Sequence, residues 1–596
     1  MAAARLHAGT GMILPDTPFV LLDDARPDGA GARLYHGVRE IVRADRPGEV
    51  RDALEQLRGG ESHVAGFLGY EAAPGLELRA ATRDAPAGCL WFGKFARRDP
   101  VDLAALLPDP AGAWAGTPIP GIAPAGYREQ FARIAGYIGA GDIYQANLTF
   151  RAEVPFAGHP AALYALLRSR ACAGYGALIF TGARWILSFS PELFFTFDAT
   201  GLTAKPMKGT ARRGATAAED DALAAHLAAD IKQRAENLMI VDLMRNDLAR
   251  IARPGTVRVP ALFAVERYPT VHQMVSTVTA EPAGGVTALD ALAALFPCGS
   301  VTGAPKLRAM EVIAEVERDA RGVYTGAIGA IEPDGSALFN VAIRTLAIET
   351  GADRALLGLG SGVVADSNAA EEWEECLAKG AFVTSDEVPF DLIETMRFDP
   401  LAGLPLLERH LARMKASARV FGFEFDRHAA RNELQAATFR LRAPARVRLL
   451  LAPSGAIAIG IAPLPEAPAR PVPVAIAPRK VARDDFRLAH KTSRRAFHDA
   501  PRRDSGAWEV LFTDAQGYLT EGSFTSIFVE RDGMLVTPPL ARGLLPGVLR
   551  AELIETGRAV EGDLMPADLA GGFYVGNALR GLVSAVTVAE AASPVL

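Results

Sequence analysis

Residues 188–247 constrain this chain more than any other stretch. SFSPELFFTF, KPMKGTARRG and RAENLMIVDLMRND follow one another there and set Glu192, Lys208 and Glu236 in apolar or glycine-marked surroundings. Glu192 follows Pro191 in an otherwise apolar run that reads as a half-buried strand. Desolvation at such a position disfavours the ionised carboxylate, which suits a general acid. Lys208 precedes Gly209-Thr210, where flexible backbone can approach a ligand closely. Glu236 falls on a predicted helix whose Leu238, Ile240, Val241, Leu243 and Met244 are broadly helical in spacing. Taken singly, each has an ordinary reading as an edge-strand carboxylate, a solvated ammonium or a surface acid. Their succession, with a second acidic cluster downstream, points to a site.

At 596 residues the chain is longer than one ordinary domain, which favours a large enzyme or two fused units. Its 49% hydrophobic and 22% charged residues describe a soluble globular protein with ample core material. A net charge of −6 gives no electrostatic reason to expect nucleic acid. Cys89, Cys172, Cys298 and Cys376 are widely spaced without a CxxC, which argues against a disulfide scaffold or structural zinc and suits a reducing cytoplasm. No apolar run is long enough to span a membrane, and MAAARLHAGTGMILPD lacks the apolar core of a signal peptide. A cytoplasmic, two-part protein is expected, without nucleic-acid or membrane partners.

Residues 17–100 alternate short apolar runs with turns, and PFVLLDDA, HVAGFLGYEA and LWFGKF read as strands. The Pro-, Gly- and Ala-rich 101–125 reads as a surface crossing or internal linker. A helical pattern from Tyr127 leads into a strand at DIYQANLTF, and a helix is expected over 160–170. GALIFTG, WILSFSPELFFTF and RYPTVHQMVSTV read as strands, and 218–250 as one helical stretch. TALDALAALFPCGSVTGAPK reads as a helix and loop, followed by a helix from about Pro305 to Val316. ALFNVAIRTLAIE and ALLGLGSGVVADS read as strands and AAEEWEECLAKGAFV as a helix. Without regular βαβ alternation this is α+β architecture. Near Thr384 the pattern resets, which divides the chain into units 1–384 and 385–596. In the second, FDLIETMRFD is a predicted strand, HLARMKASARVFGF a helix and ARVRLLLAPSGAIAIGIAPL a hairpin. The Pro-rich 463–473 is expected to join two lobes. WEVLFTDAQGYLTEGSFTSIFVE reads as two strands around a turn, before a Gly/Pro-marked loop and a helix.

AAEEWEECLAKG places Glu371, Glu372, Glu374 and Glu375 on neighbouring turns of one helix. Like charges at this spacing repel, so they need solvent, basic partners or a cation. The cluster alone leaves a solvated face and a metal site both open; the glycine-rich GSGVVADS just upstream favours the site. If Glu236 and Glu375 converge, they make the sparse carboxylate set that Mg²⁺ takes. Tyr324 and Arg344, on separate predicted strands, could hold a carboxylate.

Over residues 17–382 the sequence resembles the chorismate-utilising enzymes, and within them component I of the aminodeoxychorismate synthases. The resemblance rests on GDIYQANLTF, SFSPELFF, KPMKGTARRG, AENLMIVDLMRND, CGSVTGAPKLRAMEVI and GSGVVADS with EEWEEC, in that order. It implies a β-sandwich with surrounding helices, Mg²⁺ held by Glu236 and Glu375 with Glu372 nearby, and chorismate contacts from Gly209, Thr210, Tyr324, Arg344, Gly360, Ser361 and Gly362. It also implies that Lys208 attacks the ring with loss of its hydroxyl before ammonia adds, with Glu192 as general acid and base. In the related anthranilate synthases the lysine position is occupied by alanine. The family's histidine ahead of an apolar run corresponds to His272 or Gln273. No cysteine here sits in a nucleophile elbow with a plausible His/Glu pair, so ammonia is expected from a separate glutamine amidotransferase subunit or from free ammonium.

In the second unit LAHKTSRRAFHDA sets Lys491 among His490, Arg494 and Arg495, a setting that lowers an amine's pKa for Schiff-base chemistry but reads equally as a basic surface loop. Glu521, in LTEGSFTSIF, enters a predicted strand where a carboxylate could meet a pyridinium nitrogen. GLLPGVLR offers a glycine turn opening a helix, a setting for phosphate, and Arg413 could add a charged contact. Over 388–590 these features resemble the pyridoxal-phosphate enzymes of the branched-chain aminotransferase and aminodeoxychorismate lyase group, in a two-lobed fold of type IV. The resemblance implies Lys491 as the Schiff-base lysine, Glu521 on the ring nitrogen, and Arg413 with Gly547, Val548 and Leu549 on the phosphate. Thr525-Ser526 replaces the usual Ser-Asn; Leu549 and Asn577, in GNALRG, are lyase-like.

The expectation is therefore a bifunctional enzyme that aminates chorismate and then releases pyruvate to give 4-aminobenzoate, a folate precursor. It would use Mg²⁺ and pyridoxal 5′-phosphate, and pair as a homodimer through the lyase unit. The rival is an anthranilate synthase-like unit fused to a branched-chain or D-amino-acid aminotransferase-like one.

Overall fold

The computed structural model describes residues 14–84, 88–267, 271–385, 387–468 and 471–588. The chain divides into two compact units. One comprises Met1–Leu107, Thr117–Val154 and Tyr164–Ser385; the other comprises Pro108–Gly116, Pro155–Leu163 and Asp386–Leu596. Two short excursions from the first half therefore pack with the second unit, so 101–125 is not a simple linker. In the second unit Trp114 meets Phe421 edge-on at 5.0 Å within an apolar cluster that includes Phe390 and Phe486. Burying one such aromatic contributes roughly 1.5–3 kcal/mol.

The first unit is built from long antiparallel pairings. β1 (Phe19–Asp24) lies between β2 (Gly31–Ala44) and β6, while β2 continues through β4 to β3, where β3 is His63–Leu68, β4 is Leu90–Val101 and β6 is Tyr175–Phe180. A helix α1 (Pro124–Gly139) precedes β5 (Gln145–Ala157); β7 is Arg184–Ser190, β8 is Leu193–Asp198, β9 is Gly201–Ala204 and β10 is Met207–Arg212. β11 (Arg258–Arg267) and β10 both pair with β12 (Val271–Ala280). Beyond β3, pairing runs through β13 (Ala327–Ile331), β14 (Ala337–Val341), β8 and β9 to β12. From β6 it runs through β7 and β15 (Thr345–Glu349) to β16 (Arg354–Val363), which neighbours β5.

Three predicted continuous elements are broken, each for a local reason. WILSFSPELFFTF divides into β7 and β8 at Pro191-Glu192, since proline cannot donate to a ladder. Residues 218–250 form two helices, α2 (Ala217–Ala229) and α3 (Ile231–Ala249), because the Asp230 side chain accepts the Gln233 N–H as an N-cap. ALFNVAIRTLAIE divides into β14 and β15 around Arg344, whose φ is +50°. Of the apolar residues expected on α3, Ile240, Val241 and Met244 enter the core with Phe194, Phe195 and Phe339, whereas Leu238 is 44% exposed. A helix α4 (Lys306–Val316) follows the loop after Leu295, and α5 (Ala369–Gly380) carries the acidic cluster.

The second unit has a three-stranded sheet, β17 (Leu392–Phe398), β18 (Ala445–Leu451) and β19 (Ile457–Pro463), against which α6 (Leu407–Phe421) packs. Its second sheet contains β20 (Val472–Pro478), β21 (Glu509–Thr513), β22 (Leu519–Gly522), β23 (Ser526–Arg531), β24 (Met534–Thr537), β25 (Ala559–Glu561), β26 (Phe573–Asn577) and β27 (Gly581–Thr587). Among the described residues these eight run in the order β22-β21-β20-β27-β26-β23-β24-β25. The stretch predicted as two strands around a turn is three strands, β21 to β23. A helix α7 (Ala496–Ser505) follows Lys491, and α8 (Val548–Glu555) opens at Gly547. No helix among the described residues is long and apolar enough to cross a membrane.

Candidate active sites in the two units

In the first unit the break between β7 and β8 puts Glu192 indoors rather than half-buried: it is 5% exposed. Burial pushes its carboxyl up to about 7, against the opposing effects of Ser300 and Lys208, and its Oε1 has no hydrogen-bond partner. A buried carboxyl raised to this range, with one oxygen not hydrogen-bonded, is able to give or take a proton near neutral pH. Lys208 lies within electrostatic reach of Glu192, Glu236 and Glu375. Its Nζ would stand 2.6 Å from a β-carbon on Gly362, and Gln145 Nε2 would stand 2.9 Å from that same atom. Gln145, fully buried at the start of β5, has neither amide atom hydrogen-bonded. It lies inside the quoted GDIYQANLTF motif, but a glutamine in a strand gave no signal of its own.

Desolvation raises the Glu236 carboxyl, with Asp366 and Glu372 adding like charge. Glu372 accepts Ser367 Oγ at 2.7 Å. Burial works against ionisation of Glu375, but the Lys379 ammonium 2.6 Å away outweighs it and lowers the carboxyl. Lys379 also donates to the Gly360 carbonyl at 2.9 Å. Among the described residues no three carboxylate, imidazole or thiol groups gather closely enough to hold a metal ion by themselves.

Several expected contacts sit differently. Tyr324 is in a turn, its ring so close to Gly358 that a β-carbon there would lie 2.1 Å from the ring. Arg344 is in the β14–β15 link, not on a strand, and its carbonyl accepts Phe189 N–H at 3.1 Å. The Ser361 hydroxyl is fully buried and meets Tyr127 Oη at 3.3 Å, which leaves only backbone from that residue for a ligand. His272 is fully buried, its Nε2 2.9 Å from Asp220. Gln273 instead donates to the Gly209 carbonyl at 2.9 Å and accepts Thr210 Oγ1 at 3.0 Å, so it is Gln273 that faces the Lys208 loop.

In the second unit a cavity of about 410 Å³ is lined by Lys491, Glu521, Arg413, Gly547, Val548, Leu549 and Asn577, among others. The Lys491 carbonyl accepts Ile393 N–H at 2.8 Å, which pins it beside β17. Desolvation depresses its amine to about 7, helped by Arg413, Arg495 and Arg448. Of the neighbours expected to do this, Arg494 turns instead to the Val388 carbonyl and the Phe390 ring, and His490 to Ser417. Arg413 grips Glu394 through two hydrogen bonds, 2.8 and 2.7 Å, and donates to the Pro546 carbonyl at 3.0 Å. Burial opposes ionisation of Glu394, but Arg413 and His410 outweigh it and hold the carboxyl at about 2. Glu394 lies within the predicted strand FDLIETMRFD, though a carboxylate that serves an arginine is not distinguishable by sequence from one on a surface.

Glu521, 6% exposed, accepts Leu545 N–H through Oε2 at 3.1 Å, while Oε1 has no hydrogen-bond partner. His498 Nε2 lies 3.4 Å from that Oε1. A β-carbon on Gly547 would meet Ser526 Oγ at 2.7 Å, so that hydroxyl sits against the start of α8, and both line the cavity together with Arg413. Thr525 Oγ1 is committed to Glu509 at 2.7 Å, and Asn577 Nδ2 donates to the Phe524 carbonyl at 3.1 Å; both shape the cavity wall.

Residues 391–588 match the amino-transferase class IV family, and residues 34–385 match the chorismate binding enzyme family. Aminodeoxychorismate synthase component 1 of Escherichia coli K12 is 42% identical over 253 residues, 42% of this chain and 55% of that one. Anthranilate synthase component 1 of Streptomyces coelicolor is 40% identical over 305 residues, 51% of this chain and 58% of that one. The chain thus spans a little over half the length of these relatives. Among solved structures, anthranilate synthase component I of Streptococcus pneumoniae superposes with a TM-score of 0.51 at 25% identity, over 64% of this chain and 95% of that one. Family match and fold agree, and the chain belongs to the chorismate binding enzymes, with an amino-transferase class IV unit following in the same polypeptide.

Proposed function

We propose that the first unit aminates chorismate to 4-amino-4-deoxychorismate and that the second removes pyruvate from this product to leave 4-aminobenzoate. The observation that carries the first half is the placement of Lys208: its side-chain nitrogen among Glu192, Glu236 and Glu375, with Gly362 leaving room for its tip. Lys208, reacting as the free amine, bonds ring carbon C2 through the Nζ lone pair as the C4–O bond breaks, and Glu192 gives its proton to the departing hydroxyl, which leaves as water. Ammonia then bonds C4 as the C2–N bond breaks, restoring Lys208. A carboxyl held near 7 is matched to both directions of that transfer. Ammonia comes from a separate glutamine amidotransferase subunit or from free ammonium, and the setting is cytoplasmic.

The donor set suits Mg²⁺, which takes one or two carboxylates and leaves its remaining positions to water and an anionic substrate. Glu236 and Glu372 crowd each other's charge and would hold it, with Glu375 joining on release from Lys379. Bound there, it would supply positive charge for a substrate carboxylate. Tyr324, Arg344 and the backbone of Gly209, Thr210 and Gly360 to Gly362 complete the chorismate site.

The second cavity fits pyridoxal phosphate on three counts: a depressed amine at Lys491, a buried Glu521 oxygen that makes no hydrogen bond, and Arg413 beside the Gly547–Leu549 turn. The cofactor supplies an electron sink for bond cleavage next to an amine. Lys491 would hold the cofactor's carbonyl end and move the proton at the bond being cleaved, Glu521 would face the ring nitrogen, and Arg413, Ser526 and the turn would hold the phosphate.

Chorismate, Mg²⁺, ammonium and pyridoxal phosphate are to be added to the full chain and the products separated. 4-Aminobenzoate and pyruvate rising together is the expected result. Anthranilate as the product overturns the role of Lys208, and accumulation of 4-amino-4-deoxychorismate without 4-aminobenzoate overturns the second half.

A further inference from the structure

The strand that carries Lys208 does not pair regularly. Met207 lies opposite Val275 and Thr210 opposite Gln273, so Lys208 and Gly209 together oppose the single residue Met274. This is a bulge, and Gly209 accommodates it with φ +100°. An extra residue in a strand re-aims its side chain and takes backbone groups out of the ladder. Here side-chain amides receive both carbonyls. Gln273 Nε2 donates to Gly209 O at 2.9 Å, and Asn237 Nδ2 donates to Lys208 O at 3.3 Å. Each amide is itself oriented: Thr210 Oγ1 donates to Gln273 Oε1 at 3.0 Å, and Ser276 Oγ donates to Asn237 Oδ1 at 2.5 Å. Ser276 Oγ in turn accepts Phe263 N–H at 3.1 Å.

Asn237 is fully buried and adjoins Glu236 on α3, so one fastening joins the helix bearing the carboxylate to the strand bearing the ammonium. We propose that Gln273 and Asn237 are positioning residues for Lys208, latching the Lys208–Gly209 bulge so that the lysine tip is held against Glu192, Glu236 and Gln145. The inference rests on Lys208 being the nucleophile. A latch of this kind acts on the orientation of the attacking atom, and a small misplacement there costs rate rather than substrate affinity. It also explains why His272, one residue away, is withdrawn to Asp220: the alternation of β12 gives the loop-facing place to Gln273.

The test is steady-state amination of chorismate by the full chain, with ammonium as nitrogen donor, for the parent, Gln273→Met, Gln273→His, Ser276→Ala and Lys208→Ala. Gln273→Met is expected to lower kcat about tenfold or more with KM for chorismate within about twofold. Gln273→His, which keeps an N–H for the Gly209 carbonyl, is expected to recover most of that loss. Ser276→Ala frees the Asn237 amide with little change of volume and is expected to show the same split, which carries the test if Gln273→Met does not fold. Parental kcat in Gln273→Met or Ser276→Ala, with Lys208→Ala inactive, overturns the latch and leaves the nucleophile assignment standing. Product from Lys208→Ala at the parental rate overturns that assignment, and the latch with it.

Discussion

A β-carbon on Gly362 would stand 2.6 Å from Nζ of Lys208 and 2.9 Å from Nε2 of Gln145. Both obstacles are the far ends of flexible side chains, so the fold can absorb the intrusion by turning them aside. Gly362→Ala is therefore expected to leave the melting temperature within about 2 °C while reducing chorismate amination tenfold or more. Gly360→Ala differs, because its β-carbon would meet the Leu148 carbonyl at 2.7 Å. That backbone cannot turn aside, and the melting temperature itself should fall. Thermal scans beside kcat for the two variants check the contrast; equal destabilisation would contradict it.

Glu192 offers a pH test with a definite sign. Its carboxyl is raised to about 7, so the neutral form is the one the fold prefers. The stability this confers is fully present below the unfolded value of 4.5 and is lost as pH rises from there through 7. Glu192→Gln removes that loss, and should gain up to about 3 kcal/mol over the parent at pH 8 but little at pH 4. Denaturant melts at the two pH values read it. The same titration predicts an alkaline fall in amination with a midpoint near 7 that Glu192→Gln, much slower, no longer shows.

How much of this was open to sequence reading follows from where each reactive group sits. Lys208, Glu236, Lys491 and Glu521 lie in contiguous motifs whose order along the chain can be read directly. What the motifs conceal is who serves them. Gln145 and Glu394 lie within GDIYQANLTF and FDLIETMRFD, yet their roles depend on partners far along the chain, Gly362 and Arg413. The Lys208–Gly209 bulge is a property of pairing with β12, which no local pattern encodes. β2 carries no local strand signal, because HGVREIVRA places charges on its solvent face and only pairing with β4 makes it a strand. The positive φ of Arg344 likewise broke a run that apolar content alone made continuous.

Lys491 should capture its cofactor in a pH-dependent way. Only the free amine condenses with an aldehyde, and the amine is depressed to about 7. The rate of pyridoxal phosphate uptake by cofactor-free protein should fall as pH drops below 7, approaching tenfold per unit. Glu394 raises that value, so Glu394→Gln should move the profile to lower pH while weakening phosphate binding through Arg413. Absorbance stopped-flow of uptake between pH 5 and 9 measures both; a profile that does not move would mean that the carboxylate does not act on the amine.

Glu509 governs the cavity wall without touching its contents. Fully buried on β21, it accepts Ser523 N–H at 2.9 Å and Ser523 Oγ at 2.5 Å through Oε1, and Phe524 N–H at 3.2 Å and Thr525 Oγ1 at 2.7 Å through Oε2. Burial raises its carboxyl, yet every loop contact is a donor that requires an acceptor on both oxygens. In Glu509→Gln one oxygen becomes an NH₂ facing donors, leaving buried groups unpaired at roughly 1–3 kcal/mol each. The segment Gly522–Thr525, which lines the cavity, should then loosen. The expected outcome is a lower melting temperature for the second unit and a pyridoxal phosphate Kd raised about tenfold, with amination by the first unit unchanged. Titration of cofactor-free protein alongside the amination assay separates the two. An unchanged Kd would show that the wall keeps its shape without the carboxylate.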